Sequence, residues 1–403
     1  MCLTTPAVRA KQPHPTLRLE KNDRIVVIGN TFAERLGMFG YFETLLAARF
    51  PDYALTCRNM GWSADEPTLQ PRPLNFGDVH FHLSRQKADV IFLCFGMNES
   101  FKGNNGLKYF IRDLDGFIAA LQTHQYNNKS PPRLVLVGPI PHEKLGRPFP
   151  DPTDHNKQLL VYTDAMAKVT ADRKISFVDL FRPLRDFMRD GSTGKLTFNG
   201  IHLSDYGYWV ASQVMMQKLG FDSAPQRIKI DSLLKVASAV GASVQNIEWN
   251  REVMSFQVEG GLVPTPLPPV DAPAEPALGG NWPTLVVKNL KQGNYLLRID
   301  GVKVVSADHQ EWANGVRIGG GPPQDVATEM RRAIVYRNRQ FFDRWRAVNG
   351  EYIYGRRAEP FGVVSFPPEM ETYDRIIGEL DVKINALSRA ENFRSYELVK
   401  VKR

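Results

Sequence analysis

The chain has 403 residues, 43% hydrophobic and 23% charged, which is enough for one large core plus an appended region, or for two domains. Its formal charge of +8 is spread over scattered basic residues with no nucleic-acid-binding module beside them, so a solvated surface is expected and no nucleic-acid partner. Cys2, Cys57 and Cys94 are too few for a disulfide framework and lack metal spacing, and no apolar run reaches the length of a membrane span.

Residues 1–23 are polar, carry Pro6, Pro13 and Pro15, lack the apolar core of a signal peptide, and are expected to wrap the surface or fray as an N-terminal extension. The compartment is left open. Ile25-Val26-Val27-Ile28 is wholly apolar and β-branched, a strand buried on both faces of a parallel sheet. Gly29-Asn30 stops it, and Phe32, Leu36, Phe39, Phe42, Leu45 and Leu46 then recur at helical spacing. A strand, a sharp turn and a helix lift the hydroxyl of Thr31 to the carboxyl end of the sheet, where open α/β folds place their chemistry. Asn30 or Thr31 serves equally well, on sequence alone, as a plain helix cap.

Tyr53 to Asn59 reads as a second strand, ending at Met60-Gly61-Trp62-Ser63, and His80 to Gln86 as a helix beyond a loop punctuated by proline and glycine. Ala88 to Phe95 is another buried strand, stopped by Gly96-Met97-Asn98-Glu99-Ser100. Leu107 to Leu121 is an amphipathic helix, Arg133 to Val137 a strand, Asn156 to Ala171 a helix, Ile175 to Asp179 a strand and Phe181 to Met188 a helix. Leu196 to Leu203 is a loop, and Asp205 to Leu219 closes the unit. Such alternation predicts an α/β fold with a doubly wound parallel sheet, a three-layer α/β/α sandwich over 24–222.

Past Gly220 the texture changes. Residues 223–283 are expected to be a connector with a short helix over Ile228 to Val240, a strand over Glu252 to Val258, and a proline-rich crossing from Gly260 to Pro283. Residues 284–403 are expected to hold a β-hairpin, formed by Thr284 to Lys288 and Tyr295 to Asp300, followed by Val302 to Val305 and a helical region. Within it, Val326, Met330, Ile334, Phe341, Trp345 and Val348 form an apolar stripe opposite Arg331, Arg332, Arg337 and Arg339. Packing on the α/β unit explains the stripe, and a partner-binding face explains it too. Tyr373 to Leu387 reads as a last helix.

The turns Gly29-Asn30-Thr31, Asn59-Met60-Gly61, Gly96-Met97-Asn98-Glu99 and Asn199-Gly200-Ile201-His202 fall in an order that resembles the SGNH (GDSL-type) hydrolase superfamily, over about half of the chain. The resemblance implies the flavodoxin-like sandwich and an esterase that removes a small acyl group from a carbohydrate or another alcohol without a cofactor or metal. It places Thr31 at the nucleophile, His202 at the general base and Asn199 at the acid that orients the base. Thr31, Gly61 and Asn98 fall at the oxyanion hole. Such chemistry needs these types, because a weak hydroxyl nucleophile requires an adjacent base and the tetrahedral oxyanion requires preset donors.

Two positions depart from the family pattern, Thr31 for serine and Asn199 for aspartate. In serine proteases the matching Asp-to-Asn change lowers turnover about 10⁴-fold through the wrong histidine tautomer. A backbone carbonyl or Asp205 is an alternative orienter, and Ser63 an alternative hydroxyl. Two further readings stay open: a degenerate hydrolase that holds a glycan or other ligand without turnover, and an interaction protein acting through its arginine-rich helix. His80 and His82 form a His-x-His pair with no third metal ligand near them in sequence.

Overall fold

The computed structural model describes residues 14–73, 76–191, 194–222, 225–250, 252–274, 276, 278–346, 366–389 and 393–401. Cys2, Pro6, Pro13 and Val348 lie outside these. Five parallel strands build the first sheet: β1 (Arg24–Gly29), β2 (Thr56–Asn59), β3 (Val90–Cys94), β4 (Arg133–Val137) and β5 (Ser176–Val178), in the order β2-β1-β3-β4-β5. The chain moves from β1 outward to β2 and then returns to the other side of β1, so strand order reverses between β1 and β3. That reversal opens a crevice at the carboxyl ends of the strands.

Helices α1 (Thr31–Phe39), α2 (Tyr41–Arg49), α3 (Val79–Gln86), α4 (Met97–Ser100), α5 (Gly103–Thr123), α6 (Thr153–Arg173), α7 (Phe181–Asp190) and α8 (Asp205–Leu219) follow and separate the strands. Alternate strand residues feed two cores, as strands buried on both faces require. Val27, Phe92 and Val135 meet Leu36, Phe42 and Trp209 on one side, whereas Val26, Ile91 and Leu134 meet Leu83, Leu114 and Met166 on the other. This is the three-layer α/β/α sandwich that the sequence predicts. The continuous helical periodicity from Phe32 to Leu46 is broken in space at Gly40. Its φ of 68° caps α1 through an N–H donated to the Leu36 carbonyl, and a Cβ there would lie 2.9 Å from Val335.

The second half is richer in strands than its sequence suggests: β6 (Arg227–Asp231), β7 (Val236–Val240), β8 (Ser243–Asn250), β9 (Val253–Glu259), β10 (Thr284–Lys288), β11 (Asn294–Ile299), β12 (Val302–Asp308), β13 (Val316–Arg317) and β14 (Phe393–Lys400). They form two sheets, β13-β10-β6-β7 and β12-β11-β14-β9-β8, around a shared core that includes Ile228, Leu285, Phe256, Leu297 and Tyr396. The helix expected over Ile228 to Val240 is therefore a pair of strands. Ile228 and Ile230 alternate inward, while Leu233 and Leu234 sit exposed in a turn whose N–H groups donate to Asp231 Oδ1. The stretch expected to be a connector thus carries β6 to β9.

The C-terminal hairpin is β11 with β12, closed by Asp300 and Gly301 with φ of 49° and 79°. The other expected partner of β11, β10, pairs instead with β6 and β13 in the opposite sheet.

Helices α9 (His309–Asn314), α10 (Pro322–Trp345) and α11 (Phe366–Ser388) complete the described chain. The apolar stripe of α10 packs on the α/β unit, with Met330 and Ile334 beside Ala48, and Phe341 and Trp345 joining the second core. Its arginines divide by face. Arg337 is buried, pairs with Glu43 and with Asp381 at 3.1 Å, and donates to the Cys57 carbonyl at 2.5 Å. Arg331 donates to the Phe39 carbonyl at 2.9 Å and stands over the Tyr41 ring. Only Arg332 and Arg339 face solvent. The positive charge in this helix thus serves largely to dock it.

Candidate active site

Gly29 brings the ends of β1 and β3 together, since a Cβ there would lie 2.1 Å from the Cys94 carbonyl oxygen. Asn30 then donates its N–H to that oxygen at 3.1 Å and accepts the Phe32 N–H on its side chain, so Asn30 is the cap of α1. Thr31 is released from capping. As the first helical residue its N–H has no partner within the helix, and its hydroxyl makes no hydrogen bond among the described residues.

After β3, Gly96 adopts φ 100° and donates its N–H to Glu99 Oε2 at 2.8 Å, closing the short turn of α4. Glu99 is buried, and burial pushes its carboxyl up to about 7. Asn98 is turned toward the crevice, with one long contact from Nδ2 to the Asp65 carbonyl at 3.5 Å.

The loop before α8 is braced from the segment after β4. Glu143 accepts the N–H groups of Leu196 and Thr197 and the Thr197 hydroxyl, and its own N–H donates to the Gly200 carbonyl. Asn199 Oδ1 accepts the N–H of His202 at 2.9 Å and that of Ile201 at 3.3 Å, and its Nδ2 lies 2.9 Å from His202 Nδ1. A flipped amide would set Nδ2 against two backbone donors, so the network fixes Nδ2 on the imidazole. His202 Nδ1 must then accept, which leaves the proton of the neutral ring on Nε2. Burial, and after it the nearby Arg35 charge, hold the imidazole below its ordinary pKa, so the neutral ring prevails at pH 7.

Thr31, Asn98 and His202 line one cavity of about 50 Å³, walled by Phe95, Phe101 and Ile201 among others. Asn199 touches it through His202. Gly61 does not join the wall. Its N–H donates to Asn59 Oδ1 at 2.9 Å and its carbonyl accepts from Arg346, so the second backbone donor is occupied. Glycine is required there because a Cβ would meet the Glu34 nitrogen at 2.3 Å.

Asp205 neighbours Tyr41 and Arg331, away from the imidazole, and the Ser63 hydroxyl is bound to Glu34. His80 contacts the Tyr126 hydroxyl and His82 the Phe76 carbonyl. Glu143 escaped the sequence reading, although a His-Glu pair directly after a buried strand and its proline turn was a visible signal. So did the buried His142 and its partner His155, whose rings meet through Nδ1 atoms at 3.2 Å beside the cavity wall.

The parallel sheet of this α/β/α sandwich thus gathers a hydroxyl, an imidazole and an amide at one cavity over its switch point. Residues 29–210, a little under half of the chain, match the GDSL-like Lipase/Acylhydrolase family. Among solved structures, the chain resembles BT4096, a gut microbial diltiazem-metabolizing enzyme, at TM-score 0.76 and 18% identity, covering 96% of this chain and 100% of that one. A catalytic mutant of Axe2, an acetylxylan esterase from Geobacillus stearothermophilus, matches at TM-score 0.40 and 14% identity, over 51% of this chain and 98% of that one. No curated protein matches the sequence. Among the described residues, no helix is long and apolar enough to cross a membrane.

Proposed function

We propose that the cavity is the acyl site of a carboxylic ester hydrolase acting on a small acyl ester, with an acetyl ester of a carbohydrate as the substrate class. One observation carries this: Thr31, Asn98 and His202, from turns far apart in sequence, line the same small cavity. A water takes up ~10–15 Å³ on this measure, so the space suits a group of about three or four heavy atoms, the size of an acetyl.

Thr31 Oγ1 attacks the carbonyl carbon while His202, once its ring proton has moved through solvent from Nε2 to Nδ1, takes the threonine proton on Nε2. The oxyanion forms against the Thr31 N–H and Asn98 Nδ2. Collapse expels the alcohol, which recovers the proton from His202, and water then hydrolyses the acyl-threonine. We keep residues 24–222 as the proposed unit that carries this chemistry.

A second reading, ligand holding without turnover, is favoured by the contact of Asn199 Nδ2 with His202 Nδ1, because an Nε2–H imidazole donates where a base must accept. A short-chain aryl acetate assay separates the two. Hydrolysis by the wild type, abolished in Thr31→Ala and His202→Ala, supports the enzyme. A silent wild type that gains turnover in Thr31→Ser supports the binding protein, and turnover that survives both alanine changes refutes the site.

A further inference from the structure

We propose that Arg346, directly after α10, is a positioning residue that holds the turn from Gly61 to Asp65 against the candidate site, so that the C-terminal helix completes the hydrolase unit. Its side chain is 9% exposed. Arg346 Nη2 donates to the Gly61 carbonyl at 2.6 Å, Nη1 reaches Glu34 Oε1 at 3.1 Å, and the guanidinium stands 3.9 Å from the centre of the Trp62 ring. The other oxygen of Glu34 accepts the Ser63 N–H at 2.6 Å and the Ser63 hydroxyl. One guanidinium and one carboxylate thereby fix the carbonyl, ring and amide of three successive residues.

The same pair reaches the cavity by two routes. Glu34 lies one turn into α1, the helix that Thr31 opens, so the ion pair ties the nucleophile's helix to α10. At the far end of the turn, the Asp65 carbonyl faces Asn98 Nδ2, and the Asp65 carboxylate is held by Arg72, whose guanidinium also stands over Trp62 at 4.4 Å. Arginine suits this place because its planar fork donates in two directions while its face stacks on an indole, which a lysine ammonium cannot do at once. Docking of α10 has its own anchor in the buried Arg337, Glu43 and Asp381 network, so Arg346 is not needed to seat the helix.

The kinetic consequence rests on the hydrolase reading, and the structural one does not. Arg346→Ala and Arg346→Lys in the full chain are compared with the wild type by backbone hydrogen exchange over residues 60–66 and by aryl acetate kinetics. In Arg346→Ala, exchange in that segment should rise about tenfold while β3 and α5 keep theirs. Turnover should fall about tenfold with KM within about twofold, added guanidinium should restore part of it, and lysine should fall between. Unchanged exchange over 60–66 overturns the proposal, as does faster exchange with unaltered turnover. A uniform rise in exchange across β3 and α5 also overturns it, because that marks a merely stabilising residue. A wild type without turnover counts against the hydrolase reading alone, and the exchange comparison then decides the clamp.

Discussion

Asn199→Asp is the substitution expected to raise activity. An aspartate keeps one oxygen on the N–H groups of Ile201 and His202 and turns the other on His202 Nδ1, which then carries the proton and frees Nε2 as a base. In the native chain, reaching that tautomer breaks a hydrogen bond of ~1 kcal/mol net and faces two donors at a half-buried position, ~1–3 kcal/mol more. The sum, ~2–4 kcal/mol, corresponds to about 30- to 1,000-fold in rate. Initial rates on an aryl acetate at pH 8 should therefore rise by about 30- to 1,000-fold. The new carboxylate also raises the His202 pKa, so the acid limb of the pH profile should move upward. An unchanged rate in a folded Asn199→Asp chain refutes the tautomer assignment.

Removing Arg337 should destabilise the chain by ~3–5 kcal/mol, because the buried Glu43 carboxylate keeps only the neutral Asn338 amide and loses its cationic partner; a Glu43→Gln, Arg337→Met double variant should recover most of the loss in denaturant titration. Glu99, with a folded pKa of about 7 against 4.5, favours the fold below pH 4.5 and loses that contribution as pH rises through 7, by roughly 3 kcal/mol in all. Glu99→Gln should therefore flatten the fall in melting temperature between pH 5 and pH 8, and a slope equal to wild type would contradict the buried acid. Arg35→Met removes a positive charge from beside His202, so the acid limb of activity should shift toward pH 6.5, and a shift downward would contradict that electrostatic coupling.

The first half of the chain was legible because its signals are local. Ile25 to Ile28 and Val90 to Cys94 are unbroken apolar runs, and a strand buried on both faces leaves that mark regardless of its neighbours. The two-sheet region hid its strands behind mixed patterns. Ile228 and Ile230 alternate over too short a span, and the exposed Leu233 and Leu234 imitate a helical stripe.

At the candidate site, residue types told which groups meet but not how each is bonded. Asn199 reads as a damaged aspartate, yet only the backbone N–H groups of Ile201 and His202 reveal which end of its amide faces the ring. Gly61 carries the expected glycine, and only the Asn59 side chain shows that its N–H is occupied. The role of Arg346 lay beyond sequence reasoning, because its partners are hundreds of residues upstream.

Incubation of the Asn199→Asp chain with a fluorophosphonate, followed by peptide mass spectrometry, tests Thr31 as the nucleophile most directly. The adduct should sit on Thr31 and vanish when His202 is changed to alanine. Labelling of Ser63 or another hydroxyl with Thr31 untouched would contradict it.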